Sequence, residues 1–383
     1  MKIGLVRRGF SRTGGAEAYL KRLGRALADA GHEVTLYGTP DWPSAEWPYG
    51  KVVTVPGDTP TSFAQNLQAI QPGGDILFSL ERVLRCDCYR AGDGVHARWL
   101  ERRRAHEPVW RDRLRFTNRK HQEIQHLEEI LLRQRKAREV ITNSDLVKQE
   151  IIGTFSYPAE RISVIRNGLP EAQFRKRAGT RPEWRNRWDL RGSEIAVLFA
   201  GSGWFRKGLH YALEAMAGIK DPRARLLVAG EGRKPWPVPS NVRFLGPVTD
   251  MSSLYGAADL FLLPTIYDPF SNACLEAVSF GLPVITTGAN GFAEIMRTGT
   301  HGEVIADAQN VPALRAAIEK WLDPRLRDGA REACIELACR HSMHNNLQQT
   351  LSVLQRLAGS APDPIQRATP RKVSSDFPGH NGP

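Results

Sequence analysis

The stretch DPFSNACLE, residues 268–276, puts one carboxylate, Asp268, in a proline-bent loop and a second, Glu276, about one turn into the helix that follows. Carboxylates placed this way can accept hydrogen bonds from the hydroxyls of two neighbouring sugars. Beside Phe270, the backbone N–H groups of Ser271, Asn272 and Ala273 open the helix and can face an anion such as a diphosphate. A plainer account also fits the pattern, since Asp before Pro is a common turn and a helical Glu is an ordinary surface charge.

Two glycine-rich loops offer matching phosphate chemistry. In GSGWFRKG, residues 201–208, Arg206 and Lys207 stand just before a helix, so side-chain charge and helix dipole act on one point. In TGGAEAYL, Gly14 and Gly15 precede another helix, where a backbone without β-carbons either lets an anion reach unpaired N–H groups or makes a tight turn. Gly201, Gly203 and Gly208 do not fit the dinucleotide fingerprint, and no P-loop sequence occurs, which weighs against nicotinamide oxidoreductases and P-loop enzymes.

Such loops need strands to hold them. MKIGLV, an amphipathic AEAYLKRLGRALADAG and HEVTLYG read as a βαβ unit, and IAVLFA, LHYALEAMAGI and ARLLVAG repeat it near residue 195. DILFSL, EVITN and RISVIRNG continue the first half as strands, and NVRFLG, ADLFLLP and LPVITTG continue the second. The expected fold class is therefore α/β, a pair of doubly wound Rossmann-like domains facing across a cleft. Residues 1–168 form the first domain and 190–338 the second, joined through a polar, proline-broken stretch. A helix at 341–357 follows, and the tail at 360–383, poor in apolar residues, is expected to be disordered.

Composition narrows the class further. At 41% apolar and 25% charged residues the chain reads as globular, with no apolar run of membrane-spanning length. Five cysteines without a CxxC pair suggest neither zinc nor redox chemistry, and the arginines near the N-terminus are unlike a secretory leader, so a cytoplasmic protein is expected. The net charge of +12 favours anionic partners. Residues 98–138 carry 13 Lys/Arg against 6 Asp/Glu with Trp99, Trp110, Leu114 and Phe116 among them. This is the composition of a surface resting on anionic headgroups, or of a solvated helix face with snorkelling arginines.

The residues DPFSNACLE and GSGWFRKG, with the Gly-Gly loop, NSDLVKQEI and RNGL, resemble glycosyltransferase family 4, retaining nucleotide-sugar transferases of the GT-B fold. The likeness extends over about residues 1–357 and is nearest to bacterial enzymes that add glucose to heptose in the lipopolysaccharide core. It implies that Glu276 holds the donor ribose, that Asp268 stands in for the first Glu of the family's Glu-x7-Glu signature and contacts the donor sugar, and that Arg206 and Lys207 neutralise the leaving diphosphate. A Gly-Arg common at the strand end is Gly201-Ser202 here. In AGDGVHARW the resemblance offers Asp93, or alternatively His96, as the catalytic group beside the reacting sugars. Glu17 would stabilise the first helix, Ser144 would cap its own, and Lys148 is read as structural before a role near the phosphates.

The resulting expectation is a retaining transferase that moves a hexose, glucose from UDP-glucose, to a heptose-containing core or another lipid-linked glycan acceptor. It would need no metal or other cofactor and would work at the inner face of the cell membrane through residues 98–138. Other acceptors, such as exopolysaccharide, keep the same chemistry. A nucleic-acid-binding protein is favoured by charge alone, so no nucleic-acid partner is expected, and an epimerase of related fold would need no acceptor.

Overall fold

The computed structural model describes residues 1–11, 15–107, 118–170, 179–234 and 237–359; Gly14, residues 108–117 of the basic segment and the tail from 360 lie outside the described residues. Strand β1 (Lys2–Arg7) buries Ile3, Leu5 and Val6, as a short apolar run does when helices cover both faces of a parallel sheet. After it come α1 (Gly15–Asp29), β2 (Glu33–Gly38), β3 (Lys51–Thr54), α2 (Pro60–Ile70), β4 (Ile76–Ser79) and β5 (Cys86–Arg90). The first domain continues with α3 (His96–Ala105), α4 (Arg119–Glu128), β6 (Ala137–Thr142), α5 (Asp145–Phe155) and β7 (Ile162–Val164). Its strands pair in the order β3-β2-β1-β4-β5-β6-β7, all parallel.

The second domain repeats the plan. It comprises α6 (Arg181–Arg187), β8 (Ile195–Ala200), α7 (Leu209–Ala217), β9 (Ala224–Ala229), β10 (Val242–Gly246), α8 (Met251–Ala257) and β11 (Leu260–Leu263). It ends with α9 (Asn272–Ser279), β12 (Val284–Thr287), β13 (Gly302–Ile305), α10 (Val311–Trp321) and α11 (Pro324–Cys339). The sheet order is β10-β9-β8-β11-β12-β13, again parallel.

Each order reverses at one place, between β1 and β4 in the first sheet and between β8 and β11 in the second. Ligands of doubly wound sheets settle at the carboxyl ends of the strands flanking that reversal, where the diverging connections leave a crevice. The loops so placed are those after Arg7 and Ser79 in one domain, and GSGWFRKG and PTIYDPFS in the other.

Strands β3, β5 and β13 add to those legible in the sequence. CDCYR looks too polar for a central strand, yet each polar group in it has a use. Asp87 accepts from the Leu77 N–H at 2.8 Å and pairs with Arg138 at 3.2 Å, and Arg90 lies 4.3 Å from the Tyr19 ring centroid.

The chain crosses between domains twice, and the crossings bond to each other: Leu169 N–H donates to the His341 carbonyl at 2.9 Å and Met343 N–H to the Leu169 carbonyl at 2.8 Å. Any Cβ at Gly168 would strike the Ser342 backbone there. The last helix, α12 (Met343–Gly359), returns to the first domain and buries Val353, Leu354 and Leu357 against Ile3, Leu5 and Ile76. Its Asn346 donates to the Arg166 carbonyl at 2.6 Å, so the returning helix grips the strand-end segment that leads into the first crossing.

Candidate active site

The second-domain half of the site is built from two loops tied by one ion pair. Lys207 Nζ donates to Asp268 Oδ2 at 2.5 Å. Asp268 is itself held by its backbone, with its N–H on the Ala289 carbonyl and its own carbonyl accepting from Gly291 N–H, both at 2.9 Å. Gly208 takes φ +74 at the start of α7, where a Cβ would overlap the Pro264 carbonyl; this close approach packs the basic loop against the loop after β11. Arg206 Nε donates to the Tyr267 carbonyl at 2.9 Å, which places its guanidinium on that same loop.

Helix α9 opens as the sequence implied, with one difference. Ser271 caps it by accepting from Cys274 N–H at 3.3 Å. The Ser271 N–H, expected to face a diphosphate, instead donates to Asn290 Oδ1 at 3.2 Å, because Asn290 is buried beneath the loop and needs donors of its own. The N–H groups of Asn272 and Ala273 remain as candidates for an anion. Phe270 is buried edge-on against Phe292, which stiffens the turn, and Asn272 Oδ1 accepts from Asn167 Nδ2 of the first domain at 2.9 Å. Glu276 receives a 3.0 Å hydrogen bond from the Tyr255 hydroxyl. Burial raises its carboxyl above the ordinary value, opposed by that hydrogen bond and by Arg22 across the cleft.

A cavity of about 230 Å³ lies between the domains. Asp93, Phe270, Asn272 and Glu276 line it together with Arg7, Arg22 and Arg90. Arg206 and Lys207 stand outside its wall, connected to it through Asp268 and the loop that leads to Phe270. Arg7 is neutralised by Glu17 at 2.9 Å and Glu81 at 2.6 Å. That pairing gives Glu17 a partner beyond the helix start it was expected to stabilise. Arg90 is buried with one Nη on Asn167 Oδ1 at 2.9 Å.

Geometry separates Asp93 from His96. Asp93 is exposed on the cavity wall. His96 is not on that wall; its Nε2 lies 3.0 Å from His121 Nδ1 and its backbone N–H donates to Glu128 at 2.8 Å. Burial, with Arg82, His121, Arg206 and Lys120 nearby, pushes its imidazole down to about 3, so it is neutral through the physiological range. Gly15 begins α1, next to Ala16 on the cavity wall. Ser144 caps α5 by accepting from Val147 N–H, and Lys148 is spent on the Ile162 carbonyl at 3.1 Å, away from any phosphate role. Among the described residues no cluster of three or more His, Cys, Asp or Glu could hold a metal ion.

The basic segment is less free than its composition suggests. Arg102 pairs with Glu150 at 3.2 Å and Arg103 with Glu107 at 2.9 Å, and Trp99 stacks on Tyr267 of the other domain. Arg119 and Lys120 of α4 are exposed. Sequence reasoning missed Arg7, Arg22, Arg90, Glu150, Tyr255 and Tyr267. Only Arg7, at the end of a switch-point strand, and Tyr267, directly before DPF, carried a readable signal.

Two parallel, doubly wound domains around a cleft, with a basic loop and a carboxylate loop at the switch point of the second, define the GT-B architecture of glycosyltransferases. Glycosyltransferase Family 4 matches residues 13–173 and Glycosyl transferases group 1 matches residues 194–324, and the chain belongs to this family. Its relatives include an uncharacterized glycosyltransferase of Methanocaldococcus jannaschii, 30% identical over 43% of this chain and 46% of that protein, so the chain spans about half the length of this relative. The lipopolysaccharide glucosyltransferase WaaG of Escherichia coli K12 is 23% identical over 81% of this chain and 86% of its own. The crystal structure of WaaG, described as a glycosyltransferase involved in lipopolysaccharide biosynthesis, superposes with a TM-score of 0.75 over 92% of this chain and 99% of its own, at 23% identity. HepE of Anabaena in complex with UDP-glucose gives 0.72 over 93% and 100%, at 17% identity.

Proposed function

We propose that this protein is a retaining hexosyltransferase that moves glucose from UDP-glucose to a heptose-containing lipopolysaccharide core or a similar lipid-linked glycan. The observation that carries the reading is the Lys207–Asp268 pair beside Arg206, Phe270 and the start of α9, with Glu276 and Asp93 on opposite walls of one interdomain cavity. The UDP-glucose bound by HepE and the glucosyltransferase activity in WaaG's name support the choice of donor and acceptor.

In this account Glu276 accepts from the ribose, and the diphosphate lies against Arg206, Lys207 and the free N–H groups of α9. Lys207 exchanges Asp268 for phosphate, which leaves the carboxylate to take a sugar hydroxyl. As the bond from the anomeric carbon to the phosphate oxygen breaks, the two cations and the helix dipole stabilise the departing charge. The acceptor oxygen then bonds to the anomeric carbon from the same face, its proton passes to the departing phosphate oxygen, and nucleoside diphosphate leaves. Asp93 stands beside the reacting sugars and orients the acceptor. Arg206 and Lys207 supply the countercharge, so the proposal includes no metal.

Among the described residues no helix is long and apolar enough to cross a membrane. The proposed contact with an anionic inner-leaflet surface rests on exposed cations such as Lys120 and Arg119, the latter 83% exposed although paired with Glu123 at 3.1 Å, since Arg102 and Arg103 are paired and only about 30% exposed. Flotation with anionic vesicles after charge reversal at Arg119 and Lys120 tests that part; undiminished binding refutes it. For the reaction itself, purified protein is incubated with a panel of nucleotide sugars and a truncated core acceptor. Acceptor-dependent release of UDP, with an α-linked product by NMR, is the expected result. No transfer from any donor would refute the proposed activity.

A further inference from the structure

Arg206 belongs to the second domain, yet its guanidinium also lies beside a ring of the first. The hydrogen bond from Nε to the Tyr267 carbonyl fixes one edge of the group and not the plane. Its central carbon lies 5.5 Å from the Tyr267 ring centroid and 5.7 Å from that of Trp99, which comes from α3 of the first domain. The two rings stack on each other, 6.4 Å between centroids and 18° from parallel. Arg102, also on α3, approaches the Tyr267 ring at 5.5 Å.

Polar contacts across the same seam hold the rings in register. The fully buried Tyr267 hydroxyl donates to Glu150 at 2.7 Å and accepts from the Val95 N–H at 3.0 Å, and Glu150 also takes Arg102 at 3.2 Å. Gly94 makes room for this approach, since a Cβ there would overlap the Tyr267 hydroxyl. The two hydrogen bonds of the Tyr267 hydroxyl and the contacts of Trp99 with Tyr267 and Arg206 join one domain to the other, so parting the domains removes them together. Arg206 would then keep its carbonyl partner and lose Trp99.

We propose that Trp99 is a positioning residue for the donor diphosphate: stacked with Tyr267, it holds the Arg206 guanidinium ready for the phosphates only while the domains are closed. An arginine already ordered beside two stacked rings loses less freedom when it grips an anion than one on a loose stem. Donor affinity and leaving-group stabilisation are thereby tied to closure. The inference rests on the reading of Arg206 as a diphosphate ligand given above.

The test measures the affinities of UDP, GDP and ADP and of their parent nucleosides for the full chain by titration calorimetry, the nucleosides by competition, taking the tightest pair as the probe. Trp99→Ala is expected to weaken the diphosphate about tenfold while the nucleoside stays within about twofold, and Trp99→Phe to recover most of the loss. Glu150→Gln, which keeps the shape of the seam, should show the same selectivity with a smaller effect. In turnover the donor KM of Trp99→Ala rises and kcat falls. Equal losses for nucleoside and diphosphate, or no loss of either, overturn the proposal. Failure of the wild type to bind any of the three diphosphates overturns the functional reading, and this inference with it.

Discussion

Lys207 and Asp268 meet at 2.5 Å, with 20% and 7% of their side chains exposed, and so join the two loops that flank the reversal of the second sheet. Neither residue is near the other in sequence. The pair keeps a lysine aimed before any ligand arrives, and keeps a carboxylate out of water without leaving it unpaired.

Removing one partner should therefore be worse than removing both. Lys207→Ala leaves Asp268 buried and alone, which is expected to cost about 3 kcal/mol of stability, and turnover should fall on the order of 100-fold. Lys207→Ala combined with Asp268→Ala should regain much of the stability and none of the turnover. Thermal denaturation and nucleoside diphosphate release read the two effects. A double variant no more stable than Lys207→Ala would show that the pairing is not what holds these loops.

Glu276 should behave in the opposite way. Its carboxyl is raised by burial, so the folded state holds a proton more tightly than the unfolded chain does, and ionisation at neutral pH works against folding. The cost is absent below the unfolded value of 4.5 and grows as pH rises through the raised folded value. Glu276→Gln is expected to raise the melting temperature at pH 7 by about 1–3 °C and to weaken donor binding at least about tenfold. Calorimetry at pH 7 and pH 4 checks this, because the gain should vanish at the lower pH.

The positions of Asp93 and His96 give a direct contrast. Asp93→Asn, on the cavity wall, is expected to lower kcat on the order of 100-fold, whereas His96→Asn, off the wall and facing His121, should retain kcat within about threefold. Single-turnover assays of the two variants decide between them.

Acid should destabilise the protein through the same histidine. His96 is pushed down to about 3 and His210 to about 4, both mainly by burial, so each stays neutral in the fold while the unfolded chain takes up a proton near 6.5. Stability is then lost as pH falls from about 6.5 toward these values, by at most about 1.4 kcal/mol per pH unit for each group. Replacing His210 with Phe should flatten the dependence of melting temperature on pH between 6.5 and 4.

Gly94 sits at φ +75 in the seam, where an added Cβ would overlap the Tyr267 hydroxyl and come within 2.8 Å of the Pro269 ring. Gly94→Ala should push the domains apart and cost at least about tenfold in turnover. Hydrogen exchange should rise at α3 and at the loop after β11 while the strands of each sheet keep their protection. Unchanged exchange there, with activity intact, would mean that the seam tolerates the wedge.

Both doubly wound sheets were legible because strand and helix periodicity is local: IAVLFA is buried along its whole length and AEAYLKRLGRALADA is amphipathic whatever surrounds it. CDCYR was harder to read, since its strand character depends on partners for Asp87 and Arg90 that lie on other elements. The same distinction runs through the site. Loop composition marks Arg206, Lys207, Asp268 and Glu276 as candidates, because glycines before helices and a spaced pair of carboxylates are local features, and the resemblance to the family supplies their roles. Sequence also offered Asp93 and, behind it, His96. Folding turned Asp93 to the cavity and His96 to His121. It likewise gave the Ser271 N–H to Asn290, and it drew Trp99 and Arg102 out of an apparent membrane-facing segment into the seam between domains. Those outcomes depend on which distant surfaces meet. Periodicity reports how each segment buries itself, whereas long-range packing and the pairing of buried charges are settled only when both domains are present.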